Sequence, residues 1–205
     1  MELSAEGVNN ILGVVDFELW VNNPGVAPVA PDFETTESLE AASLALEYIS
    51  LGGESSPANK DDYLNWYSNL RVVFHTTLLD NIADVTEAIL TQIDADYDVT
   101  NDVNPEVKQR WYPLGLTLEY NAVYEPANTW ISSMGRSKYL DPVYQALEDS
   151  GQHDLAVDWD NQNKDFYHPV AQTSIEAILY PADPTIEEVC DGCYTALKDS
   201  LYYLQ

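Results

Sequence analysis

Two cations two residues apart, Arg136 and Lys138, stand behind a glycine in Met134-Gly135-Arg136-Ser137-Lys138-Tyr139. Arginine offers a planar fork that matches a carboxylate, lysine adds a point charge beside it, and Gly135 lets a ligand approach the backbone closely. A helix is expected to begin just downstream, and the amino end of a helix is already positive, so two added cations there call for something negative. Either a carboxylate of the protein or the anionic end of a ligand answers that need. The other chemistry is sparse. His75, His153 and His168 are isolated, and none forms the His-Glu-x-x-His pattern that sets two imidazoles on one helical face beside a glutamate. There is no Gly-x-Ser-x-Gly elbow and no glycine-rich phosphate loop. His168, ahead of Pro169, reads as a cap or packing residue more than as a base, which would need a positioned partner. Cys190 and Cys193, in Cys-Asp-Gly-Cys, are open to three readings: a redox pair, half of a metal site, or two core thiols. With no assembled catalytic constellation, no activity is expected of this chain alone.

The elements that must position the two cations are helical. Leu39, Ala42, Leu46 and Ile49 recur at helical spacing, and Gly52-Gly53 stops the run, which predicts a helix over about 37–50. Asn59, Asp61 and Asp62 suit the start of a short helix carrying Tyr63, Leu64, Trp66 and Tyr67. Leu70 to Leu78 mark a third helix, and Val85 to Ile93 a fourth, with Asp84 as its cap. Asn104-Pro105 opens a fifth, which Pro113 is expected to kink or end. Glu125-Pro126, Asp141-Pro142 and His168-Pro169 open others, with a helix over 154–163 between the last two. Ahead of them, residues 1–35 carry Pro24, Pro28 and Pro31 with a Pro-Gly turn signal and read as an extended linker. Residues 36–180 read as a helical domain. Residues 181–205 add an amphipathic helix from Asp183-Pro184, which either packs on its predecessors or docks a partner. No stretch alternates convincingly as a strand. The expected class is all-α, with successive helices packed as antiparallel pairs in a curved superhelical slab.

Composition narrows the functions. The chain has 205 residues, 45% of them hydrophobic and 11% aromatic, enough for one substantial core. Its 35 acidic residues against 8 Lys and Arg give a formal net charge of -27. Such a balance disfavours nucleic acid and anionic membrane surfaces, both of which are held by clustered cations. No apolar stretch approaches the roughly 18 residues needed to span a bilayer. The amino terminus lacks a basic region followed by an apolar one, so a cytoplasmic location is expected.

Four strings, in order, resemble one peptidase family. Val15-Asp16-Phe17-Glu18-Leu19-Trp20 with Pro24-Gly25-Val26-Ala27-Pro28 resembles the linker leaving the catalytic domain of leukotriene A-4 hydrolase and related aminopeptidases. Glu106-Val107-Lys108-Gln109-Arg110-Trp111 resembles their helix around an Arg-Trp pair. Gly135-Arg136-Ser137-Lys138 resembles their Gly-Arg-x-Lys segment, and Tyr167-His168-Pro169-Val170 their closing His-Pro-Val. The resemblance implies an armadillo/HEAT-like, right-handed superhelix that closes one side of a cleft. A catalytic domain, in the same or a companion polypeptide, would hold zinc, the base and the substrate amine. No cofactor is implied in this chain itself. Carried over, binding of the free carboxylate of a short peptide falls on Arg136 and Lys138, with Gly135. A helical scaffold that binds another protein is the competing expectation.

Overall fold

The computed structural model describes residues 16–22, 24 and 34–181. The chain forms two compact units, Met1–Thr35 and Thr36–Gln205, which are taken separately. In the first, α1 (Phe17–Asn22) is a short helix inside the lead-in expected to be extended. Its prolines lie downstream of this stretch, and Asp16 starts the helix by accepting the Leu19 N–H on its side chain at 3.0 Å and the Trp20 N–H on its carbonyl at 3.1 Å.

In the second unit, α2 (Thr36–Leu51), α3 (Asp62–Asn65) and α4 (Ser68–Asp80) are followed by α5 (Glu87–Tyr97) and α6 (Pro105–Thr117). After these come α7 (Tyr124–Ile131), α8 (Ser137–Asp149), α9 (His153–Asn163) and α10 (Pro169–Leu179). Single 3-10 turns at Ile82–Asp84, Val99–Asn101, Asn121–Val123 and Lys164–Phe166 fill the connections. No strand occurs among the described residues, and the fold is all-α. Among them, no helix is long and apolar enough to cross a membrane. The amphipathic helix expected beyond Asp183, with Cys190 and Cys193, lies outside the described residues.

Alternate helices make the spine: α2 packs on α4, α4 on α6, α6 on α8 and α8 on α10, while α7 and α9 fit between their neighbours. The interior that results is aromatic. Tyr48, Tyr63, Phe74, Trp111, Tyr112 and Tyr144 are all buried. Tyr63 and Tyr97 stack with centroids 4.1 Å apart, and Phe74 meets Tyr63 edge-on at 5.2 Å. Such rings bury large apolar areas with few rotatable bonds.

Several helix boundaries differ from expectation for identifiable reasons. Gly52 and Gly53, at φ of 64° and 85°, end α2 as the sequence predicts. Asn104 caps α6 by accepting the Glu106 N–H at 2.9 Å, again as predicted. Thr86, not Asp84, caps α5, accepting the Ile89 N–H at 3.4 Å, because Asp84 is used by the preceding 3-10 turn. Pro113 does not end α6, which runs on to Thr117 with Pro113 buried inside it. α8 begins not at Pro142 but at Ser137, so Pro142 lies in its second turn. Arg136 is therefore its N-cap, and Lys138 belongs to its first turn.

Candidate functional site

The first turn of α8 is held from α6. Pro142 has no N–H to give the carbonyl of Lys138, four residues back, as a helix would require. The Gln109 side-chain amide, one turn after the α6 cap, donates to that carbonyl at 2.8 Å instead. Glu106 lies three residues earlier, on the same face of α6. Its Oε1 accepts from Lys138 Nζ at 2.6 Å and from the Tyr139 hydroxyl at 3.0 Å. Arg110 Nη1 lies 3.8 Å from Glu106 Oε2 and donates to the Glu106 carbonyl at 2.8 Å. The hydrogen bond from Lys138 leads the interactions that hold the Glu106 carboxyl below its ordinary range. α6 is itself fixed by a buried network. Trp111 Nε1 donates to Thr100 Oγ1 at 3.0 Å and the Tyr112 hydroxyl donates to the Thr100 carbonyl at 2.9 Å. Thr100 in turn donates to Asp94 through both its N–H, at 2.8 Å, and its hydroxyl, at 2.7 Å.

The two strings that carry the expected chemistry meet in space. The His168 N–H donates to the Gly135 carbonyl at 3.3 Å, joining the lead into α8 to the start of α10. Between them opens a groove of about 700 Å³ lined by Gly135, Arg136, Ser137 and Lys138 on one side and by Phe166, His168, Val170 and Ala171 on the other. Phe166 and Val170 are exposed apolar side chains at its edge, 61% and 66% accessible. A Cβ on Gly135 would meet its nearest atoms at 3.8 and 3.9 Å, ordinary contact, so packing within the chain does not demand glycine there. Gly135 leaves its part of the groove lining without a side chain.

Arg136 stands apart from the other described cations. Lys60 pairs with Asp96, Arg71 with Asp102, and Arg110 and Lys138 with Glu106. Lys108 sits 5.8 Å from the Tyr112 ring centre and Lys164 donates to Asn161 at 2.8 Å. Arg136 is exposed and, among the described residues, has no carboxylate, carbonyl or ring as a partner. Its own carbonyl accepts the N–H groups of Tyr139 and Leu140, at 2.9 and 3.2 Å. The backbone N–H groups of Ser137 and Lys138, the first two residues of α8, have no carbonyl behind them in the helix. A guanidinium unpaired among the described residues, beside two amides without helical partners, offers the donor groups that suit a carboxylate or a similar anion.

The histidines are absorbed structurally. His75 is wholly buried, its Nε2 2.9 Å from the Tyr63 hydroxyl. His153 Nδ1 lies 2.8 Å from Glu148, and His168 Nδ1 caps α10 by accepting the Val170 N–H at 3.2 Å. Among the described residues no group of three His, Cys, Asp or Glu side chains is gathered to hold a metal. These residues do not fit a zinc site.

The leukotriene A4 hydrolase, C-terminal family matches residues 66–179, more than half of the chain. The chain belongs to that family. It is 31% identical to leucine aminopeptidase 2 of Yarrowia lipolytica over 179 residues, which cover 84% of this chain and 27% of that protein. It is 28% identical to a leukotriene A-4 hydrolase homolog of Botryotinia fuckeliana, over 86% of this chain and 26% of the other. The structure of yeast LTA4 hydrolase in complex with bestatin shares its fold, with a TM-score of 0.69 at 22% identity over 84% of this chain and 30% of that one. The chain thus spans less than a third of the length of these relatives. The matched stretch contains both walls of the groove.

The sequence singled out Gly135, Arg136 and Lys138, and all three line one groove. It named Glu106, Gln109 and Tyr139 only within longer strings and gave them no role at the site. The spacing of residues 106 and 109 marks a shared face of α6, but nothing local in the sequence says that this face meets Lys138.

Proposed function

We propose that this domain supplies the carboxylate-binding wall of a split active site in an aminopeptidase of the leukotriene A4 hydrolase type. Arg136 is the principal contact for the free carboxylate of a short peptide. The Ser137 and Lys138 amides and the open floor at Gly135 complete the receptor, and Lys138 adds charge beside it. Zinc, the base and the group that binds the substrate amine belong to a catalytic domain outside this chain. Fixing the far end of a substrate sets the scissile bond against a distant reaction centre, a contribution made by positioning alone.

The observation that carries this reading is the isolation of Arg136. In a chain of net charge -27 it is exposed without a partner among the described residues, at the positive end of a helix and on the rim of a groove. Family membership supports the same assignment, because Gly135, Arg136 and Lys138 fall within the matched residues. The test pairs the domain with a matching catalytic fragment. Arg136→Ala is expected to raise KM for tripeptides about tenfold or more, the scale of one hydrogen bond to a charged group, and to leave C-terminally amidated peptides unchanged. An equal effect on acid and amide would remove the carboxylate role.

A further inference from the structure

Resting on that carboxylate reading, we infer that Glu106 is a built-in competitor of the substrate for Lys138 and thereby sets the affinity of the site. The carboxylate of Glu106 occupies Lys138 Nζ at 2.6 Å, so the lysine charge is neutralised until Glu106 is displaced, and the Arg136 guanidinium meets the incoming anion first. The pair is partly exposed, with 44% of the lysine side chain and 34% of the glutamate side chain accessible. Water and a second carboxylate both have access to it, and an exposed pair of this kind is held only weakly.

The surroundings make the exchange inexpensive for Glu106. When Lys138 turns to a ligand, Oε1 keeps the Tyr139 hydroxyl and Oε2 keeps Arg110 nearby, so the carboxylate is not left bare. Gln109 holds the Lys138 carbonyl, so the backbone stays in place while the side chain moves. Lys138 is thus a switchable partner on a fixed support, and Glu106 lowers the affinity of the site for a carboxylate. A purely structural salt bridge between α6 and α8 predicts the reverse, since breaking it would loosen the turn that carries Arg136.

The experiment titrates the full chain with an acetylated tripeptide ending in phenylalanine, as free acid and as C-terminal amide, by calorimetry. Glu106→Gln, which keeps the shape and can still bond Tyr139, is expected to tighten the acid roughly three- to fivefold, the scale of one partly exposed ion pair, and to leave the amide unchanged. Lys138→Met is expected to cancel the whole gain in the Glu106→Gln background. Unchanged or weakened acid binding in folded Glu106→Gln, judged by circular dichroism, would overturn the competition. Should that variant not fold, Lys138→Met decides alone: a tenfold loss means that Lys138 was available all along. If the native chain does not distinguish acid from amide while Glu106→Gln does, the competition stands and the carboxylate role of the native site falls. If neither distinguishes them, both fall.

Discussion

Arg136 and Lys138 carry the same charge two residues apart, yet one faces a groove unaccompanied and the other is tied down. Their difference comes from α6, whose Glu106 reaches one and not the other, and it makes Arg136 the position where truncation should act through ligand binding alone. With no partner among the described residues, Arg136→Ala should leave Tm essentially unchanged while abolishing the preference for a free carboxylate. His75 is a residue whose titration bears on the stability of the fold. Burial, with Arg110 and Arg71 adding like charge, pushes its pKa from 6.5 down to about 3. Between those values the unfolded chain binds a proton that the folded chain refuses, so stability is lost as pH falls from about 6.5 towards 3. Denaturant titrations at pH 7.5, 5.5 and 4.5 should show the native chain losing ground relative to His75→Gln, by at most roughly 1.4 kcal/mol per pH unit. Parallel loss in both chains would assign acid sensitivity to other groups.

At the scale of elements, proline is the source of most differences between what the sequence predicts and where helices run. Asn104-Pro105 and His168-Pro169 obey the rule that proline suits the first helical position, and both helices start there. Asp141-Pro142 looks the same in sequence but lies a turn inside α8, because Gln109 replaces the hydrogen bond that Pro142 cannot make. The glutamine reaches from 29 residues away, and a rule about neighbours cannot register it. Periodicity marked α2, α4 and α5, cap-and-proline pairs marked α6, α7, α8 and α10, and a glycine beside two cations marked one wall of the groove. The partner of Lys138 was not legible, since it depends on which faces of α6 and α8 meet. A double-mutant cycle tests the replacement. Gln109→Ala should cost about 1 kcal/mol in the native chain. In Pro142→Ala, where the helix satisfies Lys138 itself, it should cost much less. Equal costs would mean that Gln109 acts elsewhere.

For the whole molecule the dominant quantity is charge. A net charge of -27 repels itself in the compact state, and screening at moderate salt shortens the reach of that repulsion to about 10 Å at 0.1 M. Tm should therefore rise by several degrees between low salt and 0.5 M sodium chloride, measured by scanning calorimetry. A flat profile would mean that local pairs such as Lys60 with Asp96, which salt weakens, offset the gain. The same field acts on the proposed function: a carboxylate substrate approaches a negative body and is attracted where Arg136, without a partner among the described residues, breaks the pattern. Added salt should thus reduce peptide affinity less than it would for a protein that recruits its ligand through a broad positive surface.

The bond from His168 N–H to the Gly135 carbonyl has a consequence for biosynthesis. Arg136 is translated well before Phe166 and Val170, but the groove has no second wall until α10 has emerged and docked on α8. A chain halted or clipped after α9 would retain most of its aromatic interior and both cations but lack the wall formed by Phe166, His168, Val170 and Ala171. The proposed carboxylate site is thereby one-walled until the last described helix has arrived.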